Sequence, residues 1–147
     1  MGAVAAVDAF DAGGRAAVAR ALEHAGRATG LMFSLRVGAA EGASRAYALR
    51  LHAERGAEAP DTVLLLVDPG TRRLEIVTGS RARRRLDDAT CARAAEAMTA
   101  AFAAGDLAGG VVAGLGVLAE RVQQPRAPRR PAQRAKDRPG ESQSTLF

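Results

Sequence analysis

The stretch Thr62-Val63-Leu64-Leu65-Leu66-Val67 decides the fold of this 147-residue chain. After Thr62 it holds five consecutive branched aliphatic residues with no polar residue between them. A half-exposed strand alternates apolar and polar residues, so an unbroken apolar run indicates a strand buried on both faces. Such a strand lies in the middle of a sheet that is covered by helices. We therefore expect an α/β protein with this stretch as its central strand.

Two further strands are predicted beside the central one. Asp68-Pro69-Gly70-Thr71 is typical of a tight turn, so residues 73–78 return as the antiparallel partner of a hairpin. Residues 31–37 alternate apolar and polar side chains, which indicates a strand with one half-covered face. A helix connects that strand to the central one, and strands joined in this way run parallel. The expected small mixed sheet has strand order 1-2-3, with strands 1 and 2 parallel and strand 3 antiparallel.

Apolar residues recur at helical spacing in four segments. One helix begins after Asp11, and a second covers about residues 43–55. A third follows Asp87 and a fourth follows Asp106. Each of these acids can accept a hydrogen bond from a free amide in the first turn of its helix. The predicted architecture is a three-layer α/β/α domain with about four helices.

Composition divides the chain into three parts. Residues 10–122 form the predicted domain, and residues 1–9 form an N-terminal extension. Residues 123–147 carry six basic and two acidic side chains among four prolines, so most of the net charge of +5 lies there. We predict that this Arg/Pro-rich tail is disordered, because it has too few apolar residues to offset its chain entropy.

The composition also excludes several classes of protein. Cys91 is the single cysteine, so the chain is not a disulfide scaffold. The longest apolar run, residues 107–119, is shorter than the roughly 20 residues that a bilayer-spanning helix needs. Basic and acidic residues nearly balance within residues 1–122, which argues against a uniformly basic nucleic-acid domain. The first apolar stretch ends at Asp8 with no basic residue before it, so we expect a cytoplasmic protein.

The order of several short motifs resembles the TPM domain, an α/β domain of many bacterial proteins and of a chloroplast photosystem-repair protein. These motifs are residues 61–67, the hairpin at 72–79 and Leu86-Asp87-Asp88. The likeness is strongest in Phe102-Ala103-Ala104-Gly105-Asp106-Leu107, which precedes a Gly-rich helix, and it covers about residues 10–122. The chain is similar to a compact bacterial branch of that family. Some TPM domains are reported as acid phosphatases or metal binders and others as interaction or assembly factors, so the resemblance implies a fold more firmly than an activity.

Four acids lie at the boundaries of predicted elements, where carboxylates could collect around a hard cation: Asp61, Asp68, Asp87 and Asp106. Each also has a structural interpretation. Asp68 opens a turn and Asp61 precedes a strand. Asp87 and Asp106 are placed to cap helices. If a divalent metal binds, its ligands should be Asp61 and Asp106, which lie in the segments that match the TPM family. After Gly79 the chain lacks the second glycine and the acid that often follow in that family, which weakens the case for inherited metal chemistry.

One basic cluster inside the domain predicts an anion-binding site, with a solvated loop as the alternative. Its members are Arg81, Arg83, Arg84 and Arg85. We predict no catalytic residue, because His24 and His52 lie in predicted helices with no nucleophile at a recognisable spacing. Cys91 falls on the apolar stripe of the third helix, as expected for a buried thiol.

Glycines are frequent in the fourth predicted helix, and each costs up to about 1 kcal/mol relative to alanine. They are Gly109, Gly110, Gly114 and Gly116. A helix carries this cost where its backbone approaches a neighbour closely. That neighbour is either the rest of the domain or a second subunit of a homo-oligomer.

Three functions remain open on the sequence. The leading hypothesis is a soluble, non-catalytic TPM-like interaction or accessory module with an unknown protein partner and no cofactor. The first alternative is a metal-assisted hydrolase of the acid phosphatase kind that uses Asp61 and Asp106. The second is a nucleic-acid accessory protein whose basic tail binds phosphates without sequence preference.

Overall fold

A computed structural model of the chain describes residues 3–5, 10–123 and 143–147. Those residues form five strands and four α-helices around one sheet, in the order β1-β2-β3-β4-β5. The elements are β1 (Ala3–Ala5), α1 (Ala12–Thr29), β2 (Met32–Val37), α2 (Ser44–Ala53), β3 (Thr62–Asp68), β4 (Arg73–Thr78), α3 (Asp88–Ala103), α4 (Leu107–Gln123) and β5 (Gln143–Leu146). The predicted α/β class, with about four helices over a mixed sheet, is confirmed.

The central strand is β3, and every one of its seven residues is buried. It pairs in parallel with β2, where Phe33 lies opposite Val63, and antiparallel with β4, where Leu65 lies opposite Ile76. The predicted strand order 1-2-3 therefore corresponds to β2-β3-β4 and is confirmed. The predicted parallel pairing of the first two strands and antiparallel pairing of the last two are also confirmed. The unbroken aliphatic run reflects this placement, because a strand covered on both faces has no position for a solvated side chain.

Helices cover both faces of the sheet. On one face α2 packs Tyr47 and Ala48 against Leu64, Leu66 and Val77. On the other face α1, α3 and α4 cover the opposite residues of the strands in a larger core. The three-layer arrangement is therefore unequal, with one helix on the first face and three on the second.

Both ends of the chain add a strand that the sequence analysis did not expect. Ala3–Ala5 pairs in parallel with β2, inside the predicted N-terminal extension. Gln143–Leu146 pairs antiparallel with β4, so the predicted disordered tail is wrong for residues 143–147. A polar four-residue strand has no apolar pattern of its own, and its order comes from the edge of β4. The remaining tail, residues 124–142, lies outside the described residues, as do residues 6–9.

Helices α1 and α3 begin directly after the acids that the sequence predicts as their caps, Asp11 and Asp87. The Asp11 carboxylate accepts a hydrogen bond from the Gly14 amide at 2.6 Å, and the Asp87 carboxylate accepts one from the Thr90 amide at 2.9 Å. Among the described residues, no helix is both long and apolar enough to cross a membrane.

Two of the four glycines of α4, Gly110 and Gly114, face α3. A β-carbon at Gly110 would lie 2.5 Å from the Phe102 ring, and one at Gly114 would lie 2.4 Å from the Met98 side chain. Packing within the chain therefore accounts for these two glycines, which is one of the two alternatives that the sequence left open.

Candidate functional site

The first predicted metal ligand, Asp61, forms an ion pair with Arg81 at the surface. Arg81 Nε donates to Oδ1 at 2.9 Å and Arg81 Nη2 donates to Oδ2 at 2.7 Å, so both carboxylate oxygens are engaged. These hydrogen bonds hold the pKa of Asp61 below its usual range. The same contact raises the pKa of Arg81. This pairing connects one predicted metal ligand with one predicted anion-binding residue.

The second predicted metal ligand, Asp106, caps a helix. Its Oδ1 accepts a hydrogen bond from the Gly109 amide at 2.8 Å in the first turn of α4. Asp68 is buried in the β3–β4 turn, where its carboxylate accepts from the Ala40 and Thr71 amides. Within the described ranges, no three His, Cys, Asp or Glu side chains gather in a group that could hold a metal ion.

The four arginines of the predicted anion site are used differently from one another. Arg81 pairs with Asp61, whereas Arg83 is buried. Arg85 donates a hydrogen bond to the Thr29 carbonyl at the end of α1. Arg84 is exposed. The cluster therefore joins parts of the fold through at least two of its members, Arg81 and Arg85.

The most unusual side chain of the described structure is Glu75, which the sequence analysis did not single out. It lies on β4 and only 1% of it is exposed, although an ionised carboxylate is costly to bury without partners. The Ser44 hydroxyl donates to Oε2 at 2.5 Å, and the Ser144 hydroxyl of β5 donates to the same oxygen at 2.8 Å. Arg45 Nη1 lies 3.5 Å from Oε1. We call Glu75, Ser44, Arg45 and Ser144 the Glu75 network.

Arg45 extends this network across the junction of β4 and β5. From α2, its Nη1 donates to the Ile76 carbonyl of β4 at 3.2 Å and to the Gln143 carbonyl of β5 at 3.1 Å. A cation from the helix layer thus contacts the backbone of both strands. This contact holds β5 against the edge of the sheet in addition to the ladder between the strands.

The opposite face of β5 is held by an aromatic contact. The Phe147 ring lies 4.8 Å from the Phe102 ring of α3, centroid to centroid, with the planes tilted by 53°. This geometry is favourable for two aromatic rings. The Phe147 amide also donates to the Arg72 carbonyl at 2.8 Å. Residues 143–147 are therefore fixed by polar contacts on one face and by an aromatic residue on the other.

A cleft of about 340 Å³, with both polar and apolar residues in its lining, adjoins the Glu75 network. It is lined by Ala40, Gly42, Ala43, Ser44, Asp68, Thr71 and Arg73. Ser44 belongs to both features, because its hydroxyl accepts from Arg73 Nη1 at 3.5 Å and donates to Glu75. Burial raises the pKa of Asp68, but hydrogen bonds from the Ala40 amide, the Thr71 side chain and the amides of the turn together lower that pKa by more.

A second, apolar cleft of about 330 Å³ lies at the other end of α2. Its lining includes His52, Pro60 and Gly79. His52 Nε2 lies 3.0 Å from the Thr62 carbonyl, and burial of the ring lowers the pKa of His52. A β-carbon at Gly79 would lie 1.9 Å from the Ala59 carbonyl oxygen, so only glycine fits there. His52 therefore connects α2 with the backbone at the start of β3.

The sequence contained one signal of the Glu75 network. In Arg73-Leu74-Glu75-Ile76-Val77-Thr78, Glu75 shares its strand face with Val77, and an apolar neighbour on that face indicates that the face is covered. The donors could not be found this way, because Ser44 and Ser144 lie 31 and 69 residues from Glu75.

Comparison with solved structures shows the fold. The chain is similar to the N-terminal domain of a protein from P. gingivalis, with 16% identity, a TM-score of 0.70 and coverage of 82% of this chain and 80% of that one. It is also similar to the BA42 protein from Bizionia argentinensis, with 15% identity, a TM-score of 0.70 and coverage of 77% of this chain and 81% of that one. A third similar structure is the N-terminal domain of the cg2496 protein from Corynebacterium glutamicum, with 13% identity, a TM-score of 0.68 and coverage of 83% of this chain and 79% of that one.

The comparison with curated proteins gives no match. A family model described as a domain of unknown function, DUF5130, matches residues 1–119. The match covers all four helices except the end of α4, and it covers every strand except β5. The chain therefore belongs to the DUF5130 family.

Proposed function

We propose that the protein is a non-catalytic, TPM-like interaction module that binds an extended polypeptide segment by strand addition along β4. The observation that carries the proposal is the hydrogen bond from the Ser144 hydroxyl to the buried Glu75 carboxylate. Strand addition supplies affinity through backbone hydrogen bonds and specificity through alternate side chains. In this chain, residues 143–147 occupy the site.

The edge of β4 is suited to this role. A strand without an outer neighbour exposes unpaired N–H and C=O groups, which form a template for another strand. The match to the family ends at residue 119, before β5, so the strand that covers β4 lies outside the matched region. The matched region therefore includes the edge of β4 but not the segment that covers it.

The proposal requires that residues 143–147, although anchored at Glu75 and Phe102, can open and be exchanged. Every one of them is at least partly exposed, and the Leu146 side chain is 69% exposed. Short edge segments with few buried contacts open at low free-energy cost. Because the segment is covalently attached, its effective concentration at the β4 edge is on the order of millimolar, which favours its return after opening. A segment of another protein must therefore compete with the attached one.

The proposal places the module in the cytoplasm. Cys91 is the single cysteine and is buried, and a chain with one cysteine cannot form an intramolecular disulfide, which suits a reducing compartment. A protein partner with an extended segment is the expected ligand there. The module needs no cofactor for this activity.

The test uses the full chain and a fluorescent peptide with the sequence of residues 141–147. Phe147→Ala should weaken the attached strand and so open the site, and Ser144→Ala provides a second variant of this kind. Because the attached strand competes with the peptide, we expect Phe147→Ala to bind the peptide up to about 30-fold more tightly than the unaltered chain, and Ser144→Ala up to about tenfold more tightly. Leu49→Ala, at an exposed apolar position of α2, is the matched control and should bind like the unaltered chain.

Fluorescence anisotropy gives the affinities, and amide chemical shifts of β4 show where the peptide binds. The proposal is refuted if both opened variants keep their circular dichroism spectrum and neither binds at millimolar peptide. Binding that leaves the β4 amides unchanged would also refute it, because the peptide would then lie elsewhere.

A further inference from the structure

We infer that the edge of β4 selects segments with a Ser or Thr hydroxyl followed, three residues later, by an aromatic ring. This inference rests on the proposed function and specifies its ligand. It is carried by the two anchors that hold residues 143–147, Ser144 at Glu75 and Phe147 at Phe102. Leu146, which lies between the anchors and is exposed, contributes little to the selection.

The spacing of three follows from strand geometry. Successive side chains of a strand point to opposite faces, so residues an odd number apart lie on opposite faces. Ser144 lies opposite Glu75 and contacts the layer that contains α2. Phe147 contacts α3 in the other layer. A ligand must therefore present its hydroxyl and its ring to different faces of the sheet, and a shift of one residue would exchange those faces.

The hydroxyl is selected because Glu75 accepts hydrogen bonds and is 1% exposed. Alanine at this position would leave Oε2 with one donor fewer, and a hydrogen bond to a charged group corresponds to about tenfold in affinity. An acidic or phosphorylated residue would place a negative charge against a buried carboxylate. The site should therefore reject acidic residues more strongly than alanine.

The ring is selected by Phe102, which belongs to the core of the larger layer. Phe147 packs against that core as a partly buried residue. An aliphatic or small side chain would lose the tilted ring contact and part of the apolar burial. Between the anchors, Leu146 is 69% exposed and serves as an internal control position.

The test measures a series of peptides against the Phe147→Ala chain. We expect the parent peptide of residues 141–147 and its Leu146→Ala version to bind within twofold of each other. Ser144→Ala in the peptide should weaken binding about tenfold, and Ser144→Glu should weaken it further. Phe147→Ala in the peptide, or exchange of Leu146 and Phe147, should each weaken binding at least tenfold.

A coupling measurement connects the hydroxyl to its acceptor. In a chain that carries both Glu75→Gln and Phe147→Ala, the penalty for Ser144→Ala in the peptide should fall from about tenfold to less than threefold. A purely structural role for Glu75 would lower the affinity for every peptide equally and leave the penalty at tenfold. That result would overturn the assignment of the hydroxyl.

The outcomes separate the two proposals. If no peptide binds, the proposed function fails. If the parent binds at β4 but the Ser144, Phe147 and exchanged peptides bind within twofold of it, the inference fails and the proposed function stands. If the exchanged peptide alone binds like the parent, the three-residue spacing is wrong.

Discussion

Replacement of Phe147 by alanine should raise the opening of β5 roughly 30-fold while the rest of the sheet stays closed. Complete burial of a Phe side chain stabilises by up to about 3 kcal/mol, and the half-buried Phe147 ring accounts for about 1 kcal/mol of that. The tilted contact with Phe102 adds about 1 kcal/mol. The sum of about 2 kcal/mol corresponds to roughly 30-fold in the opening equilibrium.

Amide hydrogen exchange measures this opening at individual residues. The Phe147 amide donates to the Arg72 carbonyl, and hydrogen-bonded pairs alternate with non-bonded pairs in an antiparallel ladder. The amides of Leu74 and Ile76 therefore point toward β5, and those of Glu75 and Val77 point toward β3. We expect Phe147→Ala to accelerate exchange of the Leu74 and Ile76 amides about 30-fold and to leave the other two unchanged.

Two results would refute the reasoning. Equal acceleration of all four amides would mean that β4 and β5 open as one unit, so the strand site would not exist separately from the sheet. No acceleration at Leu74 and Ile76 would mean that Phe147 does not hold β5. Leu49→Ala serves as the control, because it removes an exposed apolar side chain of α2 that lines the apolar cleft with His52 and Pro60.

Three further predictions concern the fold. Gly110→Ala should lower the free energy of unfolding by about 1–3 kcal/mol, because its β-carbon meets the Phe102 ring. Gly116→Ala, which meets nothing within 4 Å, should raise it by up to about 1 kcal/mol; urea denaturation compares the two. Burial lowers the pKa of His52, so the unfolded chain binds its proton more readily, and stability should fall as the pH drops below about 6.5. Urea midpoints between pH 8 and 5 test this, and His52→Gln should reduce the slope. Asp87→Ala removes a helix cap and should lower the melting temperature by about 3 °C.

The sequence was sufficient for the middle of the fold. The unbroken apolar run at residues 63–67 predicts a strand that is covered on both faces, and every position of β3 is buried. The turn that begins at Asp68 predicts the antiparallel hairpin of β3 with β4. The caps at Asp11 and Asp87 are equally local, since an acid and an amide three residues later form each one. Short-range patterns of this kind are readable without tertiary information.

The edges of the sheet and the candidate site depend on contacts distant in sequence. Residues 143–146 have no strand pattern, and they are ordered by β4 and by the Glu75 network. Glu75 itself looks like the polar residue of an alternating strand until α2 and β5 cover it. The charge pattern predicts an anion site at Arg81, Arg83, Arg84 and Arg85, but it could not show that Arg81 pairs with Asp61 or that Arg85 reaches the end of α1.

The most direct test of strand addition at β4 is a nuclear Overhauser measurement on the full chain in solution. The account predicts cross-peaks between the rings of Phe147 and Phe102, and between the β-protons of Ser144 and the γ-protons of Glu75. A saturating concentration of the peptide of residues 141–147 should remove both groups of cross-peaks from the attached strand. The same cross-peaks should then appear between the peptide and the protein. A spectrum of the folded chain without either set would contradict the account.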